Sequence, residues 1–317
     1  MCTAVCFSSG GFYFGRTLDH TCSYGEQITV VPRRFPLAFR HLAPMTQHLA
    51  FVGMAHVAQG VPLFYDGINE KGLAAAGLLF SGFTRYHPPR ADRQNLASFE
   101  LLSYLLAHCA SVKEAESFLE NACITEEGFS DRLPPSPLHW LIADRTGSMV
   151  VESTADGLRL FHNPVGVLTN APPFDRQLRH LSGKLPQPPD SPKGLSAPDR
   201  SGMDAIELPG GFTSSSRFVR AVFASRHTLP GPDEKTSVRR FFRILDTVTI
   251  PPGCHRTPEG KLQFTRYASC CSAASGTYYC TGEDRAVSAV SLHRHDLNAD
   301  RLFCYPFSDP SFAENPA

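Results

Sequence analysis

The chain has no excess of charge of either sign, no apolar run long enough to cross a bilayer, no C-x-x-C pair and no internal repeat. Lysine plus arginine and aspartate plus glutamate both number 30, so there is no electrostatic case for nucleic acid or an anionic membrane surface as partner. The most apolar stretch, Leu73 to Phe80, falls far short of the roughly 20 residues a spanning helix needs. The start also lacks the basic and then apolar pattern of an export signal, so the mature chain is expected to begin at residue 1 or 2. Without such a signal most of the ten cysteines read as reduced, partly buried thiols rather than a disulfide framework. Scattered histidines leave little for a metal centre, so no metal or other cofactor is expected.

What remains is 317 residues, 42% hydrophobic and 19% charged, the composition of an ordinary globular protein. Residues 2 to 8 and 12 to 19 flank Ser9-Gly10-Gly11 and read as a β-hairpin at the extreme N-terminus. Strand-like segments follow at 28 to 32, 49 to 54 and 73 to 80. The leucines 101, 102, 105 and 106 then fall at helical spacing, and Ser111 to Glu114 forms a capping box that opens a second helix. Strands return at 138 to 144, 148 to 153, 158 to 162 and 165 to 169, read as a second antiparallel sheet. A short helix after Pro172-Pro173 leads into a loop region, 183 to 212. Helices at 215 to 227 and 237 to 248 precede strands near 262 to 267, 277 to 281, 286 to 291 and 302 to 305. Two antiparallel sheets stacked between helices, an α+β fold of the αββα four-layer type, accommodate this order. Strands from both chain ends then share a sheet, which favours one domain over residues 1 to 317.

Cys2 is the chemical centre of the sequence. A small residue after the initiator permits removal of Met1 and leaves cysteine with a free α-amine. The amine and thiol ordinarily titrate near 7.7 and 8.5, so one group can take the proton of the other without a separate histidine. If the hairpin turns at Gly10-Gly11, paired positions sum to 21 and Cys2 faces Asp19, within about 5 Å. Asp19 would then orient the amine; otherwise it is a solvated acid at a strand end, and a three-residue loop breaks this register. Arg16, three residues from Asp19, needs a bulge near Gly15 to reach the same face, where it would favour a Cys2 thiolate; the alternative is an exposed arginine.

Six segments in order carry a resemblance that covers nearly the whole chain: Met1-Cys2-Thr3, Phe14 to Asp19, Gly67 to Leu73, Leu138 to Asp144, Gly166 to Asn170 and Phe212 to Phe218. They resemble the choloylglycine hydrolase family, which contains bile salt hydrolases and penicillin V acylases. The resemblance implies the N-terminal-nucleophile hydrolase sandwich, a cytoplasmic location and a homotetramer. It also implies a small-molecule substrate, a conjugated bile acid or other N-acyl amide, with glycine or taurine released. By motif, Cys2 would be nucleophile and base, Arg16 and Asp19 would position it, Asn170 would donate to the oxyanion, and Arg217 would shape the electrostatics. Arg217 opens a helix, where a cation opposes the helix dipole, and Asn170 otherwise reads as a turn former. Leu79 departs from the pattern, since bile salt hydrolases usually carry Asn there and penicillin V acylases Tyr. Only its backbone N–H could serve an oxyanion, and its side chain would wall the pocket. Phe and Leu from loops near 60 to 66, 129 to 140 and 199 to 212 are the expected acyl-pocket lining. The rival readings are a penicillin V or other N-acyl acylase, a thiol-rich metal or redox module, and an inactive binding relative.

Overall fold

The computed structural model describes residues 1–182 and 208–307. Most of the expected loop region, 183–207, lies outside the described residues, and so do residues 199–207 of the 199–212 part of the expected pocket lining. Among the described residues no helix is long and apolar enough to cross a membrane.

The strands are β1 Cys2–Ser8, β2 Phe12–His20, β3 Glu26–Val31, β4 Phe51–Ala58, β5 Val61–Asn69, β6 Ala74–Leu79, β7 Gln94–Ala97 and β8 Ala122–Thr125. They continue as β9 Leu138–Asp144, β10 Gly147–Thr154, β11 Gly157–His162, β12 Val167–Leu168, β13 Phe264–Ser272, β14 Thr277–Thr281, β15 Val287–Ser291 and β16 Phe303–Pro306. The helices are α1 Leu101–His108, α2 Val112–Leu119, α3 Phe174–Ser182, α4 Ser214–His227 and α5 Glu234–Asp246. A six-stranded sheet runs β12-β1-β2-β13-β14-β15, and an eight-stranded sheet runs β11-β10-β9-β6-β5-β4-β3-β16. β7 and β8 form a separate parallel pair.

The four layers expected from the sequence are present. Helices α1 and α2 cover the outer face of the eight-stranded sheet, with Leu102, Leu105 and Leu106 meeting Phe51, Phe64 and Trp140 in one apolar cluster. Helices α4 and α5 cover the six-stranded sheet. In α5, Val238, Phe241, Phe242 and Leu245 recur at helical spacing and are buried, while Asp233 caps its first turn through Thr236 N–H. The Ser111 hydroxyl likewise accepts Glu114 N–H, but Glu114 reaches back to Ala110 N–H rather than to the cap residue itself. Strands β1 and β2 are buried on both faces, by helices outside and by the facing sheet inside, and so read as nearly continuous apolar runs.

Two expectations change. The strands at 138 to 162 form no sheet of their own, because β9 pairs with β6 and extends the first sheet. The second sheet is built from the two ends of the chain plus β12. Residues 61–69 are strand β5 rather than a pocket loop. Its Pro62, Gly67 and a register shift opposite Met54/Ala55 disguise the alternation.

At Gly15 the two central strands of the smaller sheet approach so closely that a Cβ would lie 2.0 Å from the Ser269 carbonyl oxygen and 2.9 Å from Cys270 Cα. Both obstacles are backbone, so relief requires moving β13. Gly15→Ala is therefore expected to destabilise the protein by about 3 kcal/mol or more, read as a lowered midpoint in urea unfolding.

Candidate active site

The site forms where three chain segments end together: the start of β1, the end of β2 and the turn after β12. Its first determinant is the hairpin. The connection is three residues, Ser9 to Gly11, and paired positions sum to 20, so Cys2 faces Leu18 and Ala4 faces Arg16. The expected pairing of Cys2 with Asp19 is thus off by one residue. Because opposed residues share a face, Cys2 and Arg16 lie together on the inner face between the sheets, and no bulge at Gly15 is needed. The irregularity lies instead on β13, between Thr265 and Tyr267. Asp19 falls beside residue 1: its N–H donates to the Met1 carbonyl at 2.9 Å, and the Met1 ammonium donates to the Asp19 carbonyl at 2.8 Å. Its carboxylate accepts Thr265 Oγ1 at 2.6 Å.

Arg217 lies at the start of α4, fully buried. One guanidinium nitrogen donates to the Cys2 carbonyl at 2.6 Å and to Thr3 Oγ1 at 2.5 Å, and the other donates to Asn170 Oδ1 at 2.8 Å. Asp19 Oδ2 stands 3.9 Å away. The unfavourable placement against the helix dipole is thus offset by acceptors on the sheet below. Burial lowers the pKa of Arg217 from its ordinary value, and the charges of Asp19 and Cys2 oppose that shift.

Asn170 joins the remaining parts. Its Oδ1 accepts the Cys2 backbone nitrogen at 2.7 Å, and its Nδ2 donates to the Leu79 carbonyl at 2.7 Å. Leu79 ends β6. Phe80 N–H donates to Pro137 across the ladder, so the alternation of an antiparallel pair turns the N–H and carbonyl of Leu79 away from β9 and toward Asn170. Arg16 approaches from the other side, donating to the carbonyls of Gly77 at 2.6 Å and Tyr65 at 3.2 Å. Burial disfavours its charge, but Cys2, Tyr267, Asp66 and Asp19 outweigh burial and raise its pKa. The α-amine at this end of β1 shifts down, first through burial and then through the two arginines, against Cys2 and Asp19.

All six residues singled out from the sequence, Cys2, Arg16, Asp19, Leu79, Asn170 and Arg217, meet here. Three supporting groups were missed. Gln177 on α3 donates to the carbonyls of Asn170 at 2.5 Å and Pro172 at 2.9 Å, and accepts Thr169 Oγ1. His139 donates Nε2–H to the Thr169 carbonyl at 2.7 Å, faces Glu152 at 3.4 Å and stacks on Phe80 with ring centroids 4.3 Å apart. Glu152 in turn accepts Phe174 N–H at 2.9 Å, so the turn carrying Asn170 is held at both ends. His139 stood within a recognised motif, but its link to Asn170 exists only once β9 and β12 have met. None of the ten cysteines forms a disulfide, and Cys2 is buried.

Such a site, at the start of a strand in a four-layer sandwich, has the make-up of an amide C–N hydrolase. The comparisons agree: the family described as linear amide C-N hydrolases, choloylglycine hydrolase family, matches residues 2–305, and the chain belongs to it. It is 41% identical to a bile salt hydrolase/transferase of Lactiplantibacillus plantarum, over 96% of this chain and 97% of the relative. It is 32% identical to a bile salt hydrolase/transferase of Clostridium perfringens, over 97% of each. The solved structure of the C2A mutant conjugated bile acid hydrolase from C. perfringens superposes with a TM-score of 0.86 at 31% identity, covering 97% of both chains. A penicillin V acylase from Agrobacterium tumefaciens shares the fold, with a TM-score of 0.76 at 22% identity, covering 96% of this chain and 90% of that one.

Removing the Asp19 charge leaves Arg217 facing the amine unopposed while preserving shape. Asp19→Asn is expected to lower kcat by about 10²-fold with KM changed far less, measured by steady-state kinetics on one good substrate. An effect carried wholly by KM would place Asp19 in substrate binding instead.

Proposed function

We propose that the chain hydrolyses the amide bond joining a bile acid to glycine or taurine, with Cys2 as both nucleophile and base once Met1 is removed. One observation carries the reading: the Cys2 nitrogen that would become the free amine sits 2.7 Å from Asn170 Oδ1, beside two buried arginines and a buried aspartate. A carbonyl oxygen holding an amine through its N–H leaves the nitrogen lone pair available as base. At the Met1 amine burial is the leading influence and lowers the pKa, with Cys2 and Asp19 opposing it and the two arginines adding to it.

In this reading the amine takes the thiol proton as Cys2 Sγ attacks the substrate carbonyl. The tetrahedral oxyanion receives the Leu79 backbone N–H and the second hydrogen of Asn170 Nδ2, whose first is given to the Leu79 carbonyl. The protonated amine then passes its proton to the departing glycine or taurine nitrogen, leaving a thioester on Cys2. Water, deprotonated by the same amine, attacks the thioester, and the free bile acid leaves. An amine in place of water would give the transfer that two of the relatives include in their names. The substrate class rests on those relatives, all named for bile salts or conjugated bile acids, and the rival acylase reading keeps the same chemistry with a different acyl pocket. Hydrolysis of glycocholate, taurocholate and penicillin V measured side by side separates the two: faster turnover of penicillin V would reject the bile acid assignment.

Two outcomes test the mechanism. Cys2→Ala, or an uncleavable extension before Cys2, is expected to abolish turnover, and full activity with residues retained before Cys2 would remove the amine from the mechanism. Asn170→Ala is expected to cost about 10² to 10³ in kcat, the usual loss for one oxyanion donor, whereas Leu79→Ala changes KM and acyl preference with a smaller loss in kcat. Equal loss of kcat from both would misplace the oxyanion hole.

A further inference from the structure

Close to Arg16 lies a buried carboxylate that the mechanism does not use. Asp66, on β5, is fully buried, and three hydroxyls converge on it: Tyr267 at 2.7 Å, Ser269 at 2.6 Å and Tyr278 at 3.0 Å. The Ser269 hydroxyl also accepts Arg16 N–H at 3.2 Å, so its own hydrogen is left for Asp66. A carboxyl group surrounded by donors in this way is satisfied as an anion. Protonated, it would have to turn its own hydrogen against one of them. Burial raises its pKa, against which Arg16 and the hydroxyls of Ser269, Tyr267 and Tyr278 act.

The cluster is coupled to Arg16 at both ends. Arg16 N–H meets Ser269, and its Nη1 meets the carbonyl of Tyr65, the residue before Asp66. Its Nη2 is buried with no hydrogen-bond partner among the described residues, so the guanidinium charge is neutralised by field rather than by a direct ion pair. Arg16 thus stands between two anions, Asp66 and a Cys2 thiolate.

We propose that Asp66 is a positioning residue that acts on Cys2 through Arg16, its fixed negative charge taking up part of the guanidinium field and so setting how readily the Cys2 thiol gives up its proton. This rests on the reading of Cys2 as nucleophile. The groups facing the pair are few: Tyr65 from β5, Tyr267 and Cys271 from β13, Tyr278 and Cys280 from β14, and, on the Cys2 side, the α-amine, Asp19 and Arg217. Among the described residues, Arg16 is the cation that acts on Asp66, so removing the Asp66 charge leaves Arg16 free to stabilise the thiolate. The sign is then fixed: the Cys2 pKa falls.

The test is the pH dependence of Cys2 alkylation by iodoacetamide, read by mass spectrometry on the full-length, Met1-processed enzyme. Asp66→Asn is expected to move the midpoint down by about one pH unit. The double variant Tyr267→Phe/Tyr278→Phe strips two of the three hydroxyls, drives Asp66 toward its neutral form and moves the midpoint the same way, which decides the matter should Asp66→Asn fail to fold. Loosened packing that lets Arg16 swing away moves the midpoint up. An unchanged or raised midpoint overturns the proposal. Turnover by Cys2→Ala would reject the nucleophile reading while leaving the alkylation comparison intact.

Discussion

The arrangement depends on one buried cation. Arg217 reaches from α4 to the first strand and to the turn after the twelfth, touching the Cys2 carbonyl, Thr3 and Asn170 at once. A guanidinium taken from water is stable only if its donors are met in a fixed geometry, so the acceptors must be in place before the charge is tolerable. Helix α4, strand β1 and the Asn170 turn are therefore mutually conditional. Breaking any one leaves a buried charge without its partners, and it is this conditionality, more than apolar packing, that makes the N-terminus a defined site rather than a frayed strand end.

Much of this was legible. The hairpin, the helix pairs and all the described strands but β5, β7 and β8 follow from alternation, leucine spacing and caps, and the six site residues from their motifs. The register was not, because it turned on whether the loop holds two, three or four residues, and Ser9-Gly10-Gly11 is compatible with each. A slip of one exchanges faces in a period-two structure, which is why Arg16 and Cys2 came out on opposite faces from the sequence and share one in the fold. The partition into sheets was likewise hidden. β9 pairs with β6 across some sixty residues of chain, and β12 with β1 across far more, and local pattern carries no record of such partners.

The supporting groups share a different obscurity. Gln177, His139 and Glu152 sit in segments whose local reading is complete without them: a helix face and two apolar strands. What marks them is full burial of a polar side chain, a property of the assembled layers. His139 illustrates how this works. Its ring lies on Phe80, just past β6, while its Nε2–H holds Thr169, just past β12, so one side chain links the residue after Leu79 to the residue before Asn170.

The pairing of β1 with β12 also governs when the enzyme can exist. Cys2 opens the first strand, yet it acquires its neighbours only when residues 170 and 217 have been made and folded against it. Contacts of such long sequence separation form late, after the closure of every intervening loop. Throughout synthesis, therefore, Cys2 stands on an unfinished chain, without Arg217 or the Asn170 turn beside it. The site is made by completion of the fold, and a truncated product carries Cys2 without the residues that surround it.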